Sequence, residues 1–227
     1  MDGSPTAGSQ LVRWGGVAGV VGFGLLLGSV IAVGAFGLPD ASDVETLTDF
    51  PDLETGRIVE HFLYLGAVVA FALHLSVLQR LLAPDHPPAA LFGAVTAGFG
   101  YVIMAGSAVL HVSTSPLSEL YLEPDATTGD RAAIEYSWSG AQSVFDTMLT
   151  TGVLLVSVGI VFLGLAMQSG STFGSRLTAL TLGLGVVGTA GAVVAVIDPG
   201  SMLLALSVLA VAVFAASTGW RMRSDTR

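Results

Sequence analysis

Residues 57–80 read RIVEHFLYLGAVVAFALHLSVLQR, an apolar run between two arginines broken mainly by Glu60, His61 and His74. An α-helix rises about 1.5 Å per residue, so a stretch of about 20 residues crosses a hydrocarbon core about 30 Å thick. A run this long with no continuous polar face belongs in lipid, not against the core of a soluble domain. The pattern recurs along the chain at 14–38, 58–82, 89–112, 139–167, 177–197 and 201–220. The gaps carry turn chemistry: Leu38-Pro39-Asp40, Pro84 with Pro87-Pro88, and Asp198-Pro199-Gly200. The expected fold is therefore all-α, a polytopic membrane protein with six transmembrane helices in one domain spanning residues 1–227. The first span has a longer apolar core than a signal peptide and is read as retained.

Composition agrees with that class. The chain is 52% hydrophobic and 11% charged, and it contains no cysteine, which excludes disulfides, thiolate metal sites and a cysteine nucleophile. All eight basic residues are arginine, the acids number 17, and the net charge is −9. Lysine-free, acidic composition suggests a salt-adapted, haloarchaeal-like prokaryotic source, and no basic patch exists that would hold nucleic acid.

The arginines orient the spans. With a cytoplasmic amino terminus, Arg13, Arg80, Arg176, Arg221, Arg223 and Arg227 lie inside, and only Arg57 and Arg131 lie outside. Both termini are then cytoplasmic in a cell-membrane protein. Trp14 and Trp220 fall at the inner interface, with Tyr121, Tyr136 and Trp138 at the outer one. The outer face carries the two long loops, 39–56 and 113–136. Their acids do not match a calcium-loop pattern and read as a solvated surface. Thr128-Gly-Asp-Arg131 is a helix start that would lengthen the fourth span beyond the membrane.

Small residues set the packing. Gly15 and Gly19, Gly24 and Gly28, and the set Gly185, Gly188, Gly191 and Ala192 suit close helix contact within the chain, or contact with a second copy or another membrane partner. No internal duplication or broken-helix pair is evident, which weighs against a secondary transporter.

Chemistry converges on one depth. Counting helical rise from Arg80, Pro88 and Gln168 places His61, His111 and Asp146 about 28, 34 and 33 Å along their helices, near the outer edge of the core. With Glu60 they supply the ligand types of a zinc, iron or copper site. Facing histidines could alternatively ligate haem between helices. The competing reading is that polar groups at a membrane boundary only cap helices or bond neighbours. Tyr64 and Ser107 lie one turn inward as supporting partners, and Gln142, Ser143, Asp146, Thr147 and Thr150 form a polar face expected to point into the bundle. His74, deep in its span, needs an interhelical hydrogen bond, whereas His86 between prolines reads as exposed.

Ser107-Ala-Val-Leu-His111 resembles, in its serine and histidine spacing, one element of membrane hydrolases that hold zinc within seven spans. Their late His-x-x-x-His is missing here, and the resemblance covers five residues, so their activity is not carried over. Residues 159–188, GIVFLGLAMQSGSTFGSRLTALTLGLGVVG, are similar to the large group of six-span prokaryotic integral membrane proteins known as domains of unknown function. That likeness implies the architecture and no catalytic residues. The sequence thus points to a non-catalytic membrane component that binds a partner or small ligand at its outer face. The alternatives are a metal- or haem-dependent enzyme at His61, His111 and Asp146, and a small transporter or channel subunit.

Overall fold

The computed structural model describes residues 7–38, 44, 46–199 and 201–224. Pro39, Asp40, Asp43, Glu45, Gly200 and Arg227, assigned above to turns, the first long loop and the inner arginines, lie outside the described residues. Seven helices follow in order: α1 (Ala7–Phe36), α2 (Thr46–Leu82), α3 (Pro87–Val112), α4 (Ser115–Leu122), α5 (Thr128–Ser169), α6 (Gly174–Ile197) and α7 (Leu203–Ser224). Six helical segments among the described residues are long and apolar enough to cross a membrane, the third of them, Pro87–Leu122, running through α3 and α4. Among the described residues there is no strand.

The six long helices close into a ring. Each packs on its neighbour in the chain, α1 on α2, α2 on α3, α3 on α5, α5 on α6 and α6 on α7, and α7 returns to α1. Short links make successive helices antiparallel, so one end of the bundle collects both chain ends and the other carries α4 and the extensions of α2 and α5. Trp14 and Trp220 stand exposed together at the termini end.

The helix ends follow from local chemistry. α1 stops at Gly37, whose φ of 61° opens a left-handed turn in which Leu38 N–H donates to Val33 O at 2.9 Å. His86 is half-buried, and its ring accepts from Ala89 N–H, capping α3 ahead of the prolines in its first turn. The sequence treated His86 as simply exposed; the orphan donors of a helix start give it a structural task instead. α5 opens with a reciprocal capping box between Thr127 and Asp130, and its 42 residues carry it past the membrane thickness as expected.

Lipid supplies no hydrophobic drive between helices, so the ring closes on small residues that let backbones touch. Gly93 and Gly100 of α3 lie against Gly159 and Gly152 of α5; a Cβ at Gly100 would sit 2.5 Å from the Gly152 carbonyl oxygen. Gly15 and Gly19 serve the same end within the chain, meeting Val77 of α2 and the Ala215 carbonyl of α7. Gly185 meets Val161, and Gly188 meets Ser157. Gly24 has nothing within 4 Å and Gly28 touches only Leu63, so the second glycine pair of α1 takes no part in the internal seam.

The long loops are largely helical. Residues 46–56 are the first turns of α2, 115–122 form α4, and 128–136 begin α5. The sequence expected a helix from Thr128 but read the rest of these segments as loop, whereas Leu47, Phe50 and Trp138 bury completely or nearly so in a second small core with Leu117, Tyr121 and Ile134. Trp138 is 0% exposed and meets Phe50 edge to face at 5.5 Å, so it is a core residue and not part of an interfacial belt. Tyr136 is 82% exposed and Tyr121 half-buried, as interfacial residues are. Pro51 cannot donate to the carbonyl four residues back. The Leu47 carbonyl instead accepts from the buried Ser118 hydroxyl at 2.6 Å, which pins α4 onto α2.

Candidate functional site

At the extended end, below α4, the inner face of α2 carries Phe50, Glu54, Arg57 and His61 at steps of four, three and four. Such steps stack side chains on one helix face. His111, in the last turn of α3, faces them. His61 and His111 are 5% and 4% exposed, and His61 Nε2 lies 2.9 Å from His111 Nδ1, with the rings perpendicular at 89°. Two of the sequence-predicted residues are thus in direct contact.

Glu60 joins them from the other side of the ring. Its carboxylate lies 2.9 Å from His61 Nδ1, and the Arg57 carbonyl lies 3.0 Å from the same nitrogen. The Arg57 carbonyl is an acceptor, so His61 Nδ1 carries the proton, while the nearby Glu60 oxygen makes no hydrogen bond. In the neutral ring Nε2 is then a lone pair that accepts from His111 Nδ1–H; in the cation it donates. Arg57, 8% exposed, lies 3.7 Å from Glu60 and offsets its charge. Glu60, which the sequence placed among the candidate metal ligands, thus lies beside the His61 ring without a hydrogen bond to it.

Asp146 is exposed on α5, and the neighbouring Phe145 turns toward the pair, its ring centroid 4.5 Å from that of His111 and 6.2 Å from that of His61. The expected inward polar face of α5 divides: Gln142 and Thr150 are buried, while Ser143, Asp146 and Thr147 are exposed. The hydroxyls of Ser143 and Thr147 donate to carbonyls four residues back in their own helix, at 2.9 and 2.8 Å. Spacing of three and four spreads these residues over a wide arc, and only its edge meets α3. Among the described residues, no group of three or more His, Cys, Asp or Glu is placed to hold a metal ion.

A cavity of about 50 Å³ opens beside the imidazoles, its wall shared by the apolar Phe50, Ile58 and Val112 and the polar Glu54, Arg57, His61, His111 and Ser115. Ser115, at the start of α4, donates to Glu54 at 2.7 Å and closes one wall. Tyr64 and Ser107 are buried one turn further in, and Ser107 donates to Met104 O at 2.7 Å. Glu54 and Arg57 were missed by the sequence reading because the first turns of α2 were taken for loop, and Ser115 because α4 was. Extending the helical stripe back from His61 would have found the first two.

The third buried histidine forms a separate unit. His74 Nδ1 donates to Gly15 O of α1, and Nε2 pairs with the Thr218 hydroxyl of α7, both at 2.9 Å. This is the interhelical bonding expected of it. Between the two levels the inner face of α2 presents Ala67, Val68 and Phe71, with Tyr101 of α3 against Phe71.

The two facing nitrogens leave no place for a porphyrin. Axial nitrogens on opposite sides of one iron need about 4 Å between them, twice a metal–nitrogen bond of about 2 Å. No family description matches this chain, and neither does any curated protein or solved structure.

Proposed function

We propose that this chain is a non-catalytic, multi-pass component of the cell membrane that binds a small ligand at its outward-facing extended end, in the cavity under α4. The observation that carries this reading is the wall of that cavity, where two buried imidazoles stand with Arg57, Glu54 and Ser115. Two buried imidazoles and a buried guanidinium, with half-buried Glu54 and Ser115, offer charge and hydrogen bonds to a solute in an otherwise apolar wall. A volume of about 50 Å³ admits an ion or a solute of a few atoms with water, and excludes a lipid or peptide.

Binding is favoured over catalysis by the lack of an activated nucleophile in the wall. The chain has no cysteine, and Ser115 donates to Glu54 instead of to a histidine. Binding is favoured over transport by the apolar layer of Val68, Phe71 and Tyr101 between the levels of His61 and His74. The outward orientation rests on the arginine distribution and on Trp14 and Trp220 at the opposite end.

The test is thermal unfolding of the purified protein with ammonium, chloride, nitrate, formate and bicarbonate, and with divalent metal ions. At least one solute should raise the midpoint for the native chain and not for Ser115→Trp, which fills the cavity. Equal response of both proteins to every solute would contradict the reading.

A further inference from the structure

We propose that the termini end of the bundle holds the headgroup of an anionic phospholipid, its phosphate on Arg221 in a crevice bounded by α1, α2, α7 and the α5–α6 link. This site lies at the opposite end from the cavity under α4 and stands independently of the reading given to that cavity.

The first argument is charge. Helices α1 and α6 begin at this end and α2 and α7 finish there, which gathers Arg13, Arg80, Arg176, Arg221 and Arg223, all exposed. Among the described residues the one acid at this end is Asp85, whose carboxylate lies against Gly170. Five arginines against one carboxylate make a surface that anionic headgroups complement.

The second argument is depth. Trp14 and Trp220, 69% and 66% exposed, mark the headgroup level of a bilayer, where amphipathic rings reside. Arg13 and Arg221 adjoin them in sequence, and the Arg223 guanidinium lies over the Trp220 ring, 5.6 Å from its centroid. The arginines therefore stand at the depth of lipid phosphates.

The third argument is room. Membrane topology requires arginines on one side of the bilayer, but it requires no hollow beside one of them. A crevice of about 230 Å³ is present here, its wall shared by the polar Ser9, Thr172 and Arg221 and the apolar Val12, Leu81, Phe173 and Met222. At about 30 Å³ per water, that space exceeds what a bare ion fills and suits a phosphate with its glycerol. Nε and Nη2 of Arg221 both donate to the Thr172 carbonyl, at 3.4 and 3.3 Å, which holds the guanidinium in the wall. A guanidinium fork pairs with two phosphate oxygens at once, which an ammonium does not. Among the described residues the wall holds no carboxylate, so the ammonium of a zwitterionic headgroup has no counterpart there.

The experiment is native mass spectrometry of the purified, delipidated protein in detergent. It is titrated with phosphatidylglycerol or phosphatidylcholine of matched acyl chains, and with inorganic phosphate and glycerol 3-phosphate as headgroup-only probes. The native chain should bind one phosphatidylglycerol about ten-fold or more tightly than phosphatidylcholine. Arg221→Gln should remove most of that preference, Arg221→Lys should keep part of it, and Ser9→Phe, which fills the crevice, should abolish the one-lipid species. Arg176→Gln, outside the wall, should change the affinity by less than about three-fold. Elution as a single species and an unchanged helical spectrum certify that each variant is folded. Equal affinity for the two lipids, or a preference that survives in both folded Arg221→Gln and Ser9→Phe, would overturn the proposal. Inorganic phosphate or glycerol 3-phosphate binding as tightly as the lipid would also overturn it, assigning the crevice to a soluble phosphate.

Discussion

The hydroxyl of Ser118 donates to the carbonyl of Leu47 at 2.6 Å, and Leu47 is the residue whose helical partner four positions on is Pro51. A proline in the early turns of α2 leaves an acceptor open, and α4 closes it. One bond thereby couples a break in one helix to the placement of another, and α4 carries Ser115 into the cavity wall.

Ser118→Ala leaves a buried carbonyl unsatisfied, a loss of about 1–3 kcal/mol. Faster hydrogen–deuterium exchange in 115–122 than in the spanning helices should accompany it. Pro51→Ala restores an N–H to the turn, so the double variant should lose less than the sum of its parts. Strict additivity would show that the two sites are independent.

The glycine seam between α3 and α5 separates sharply from the outer glycines of α1. Gly100→Ala puts a Cβ 2.5 Å from the Gly152 carbonyl and should cost about 1–3 kcal/mol in unfolding free energy, since backbones must part. Gly24→Ala meets nothing within 4 Å and should be neutral or stabilising by up to about 1 kcal/mol through helix propensity. Reversible unfolding in mixed micelles measures both.

His74 ties α1 and α7 to α2 through Gly15 O and Thr218. His74→Leu and Thr218→Val each remove the same side-chain bond, and a double-mutant cycle should give a coupling of about 0.6 kcal/mol, with an upper limit of about 1.7. Zero coupling would mean that the hydroxyl and the imidazole do not interact.

Much of this was legible beforehand, for reasons that differ from element to element. The spans announce themselves because apolar length is a composition signal, and residues 57–80 carry it with little ambiguity. Depth along a helix is also countable, which is why His61 and His111 could be placed at one level. Facing direction is not countable, because the ring of helices sets it. Asp146 shares the level and is exposed, while its neighbour Phe145 packs on the imidazoles. The short α4 was hidden by proline and acids, and its burial depends on Trp138, a residue remote in sequence that an interfacial rule assigned to the membrane surface.

Orientation can be read directly because the chain has no native cysteine. Glu119→Cys on the exposed side of α4 should react with a membrane-impermeant maleimide in intact cells, and Arg13→Cys only after permeabilisation. The reverse pattern would place the cavity on the cytoplasmic side.

The most direct measurement is nitrogen-15 solid-state NMR of histidine-labelled, metal-free protein in lipid bilayers. The account predicts a nitrogen–nitrogen coupling through the hydrogen bond between His61 Nε2 and His111 Nδ1, 2.9 Å apart, that disappears in His111→Gln. Two uncoupled imidazoles, each titrating as an isolated solvent-exposed ring, would contradict it.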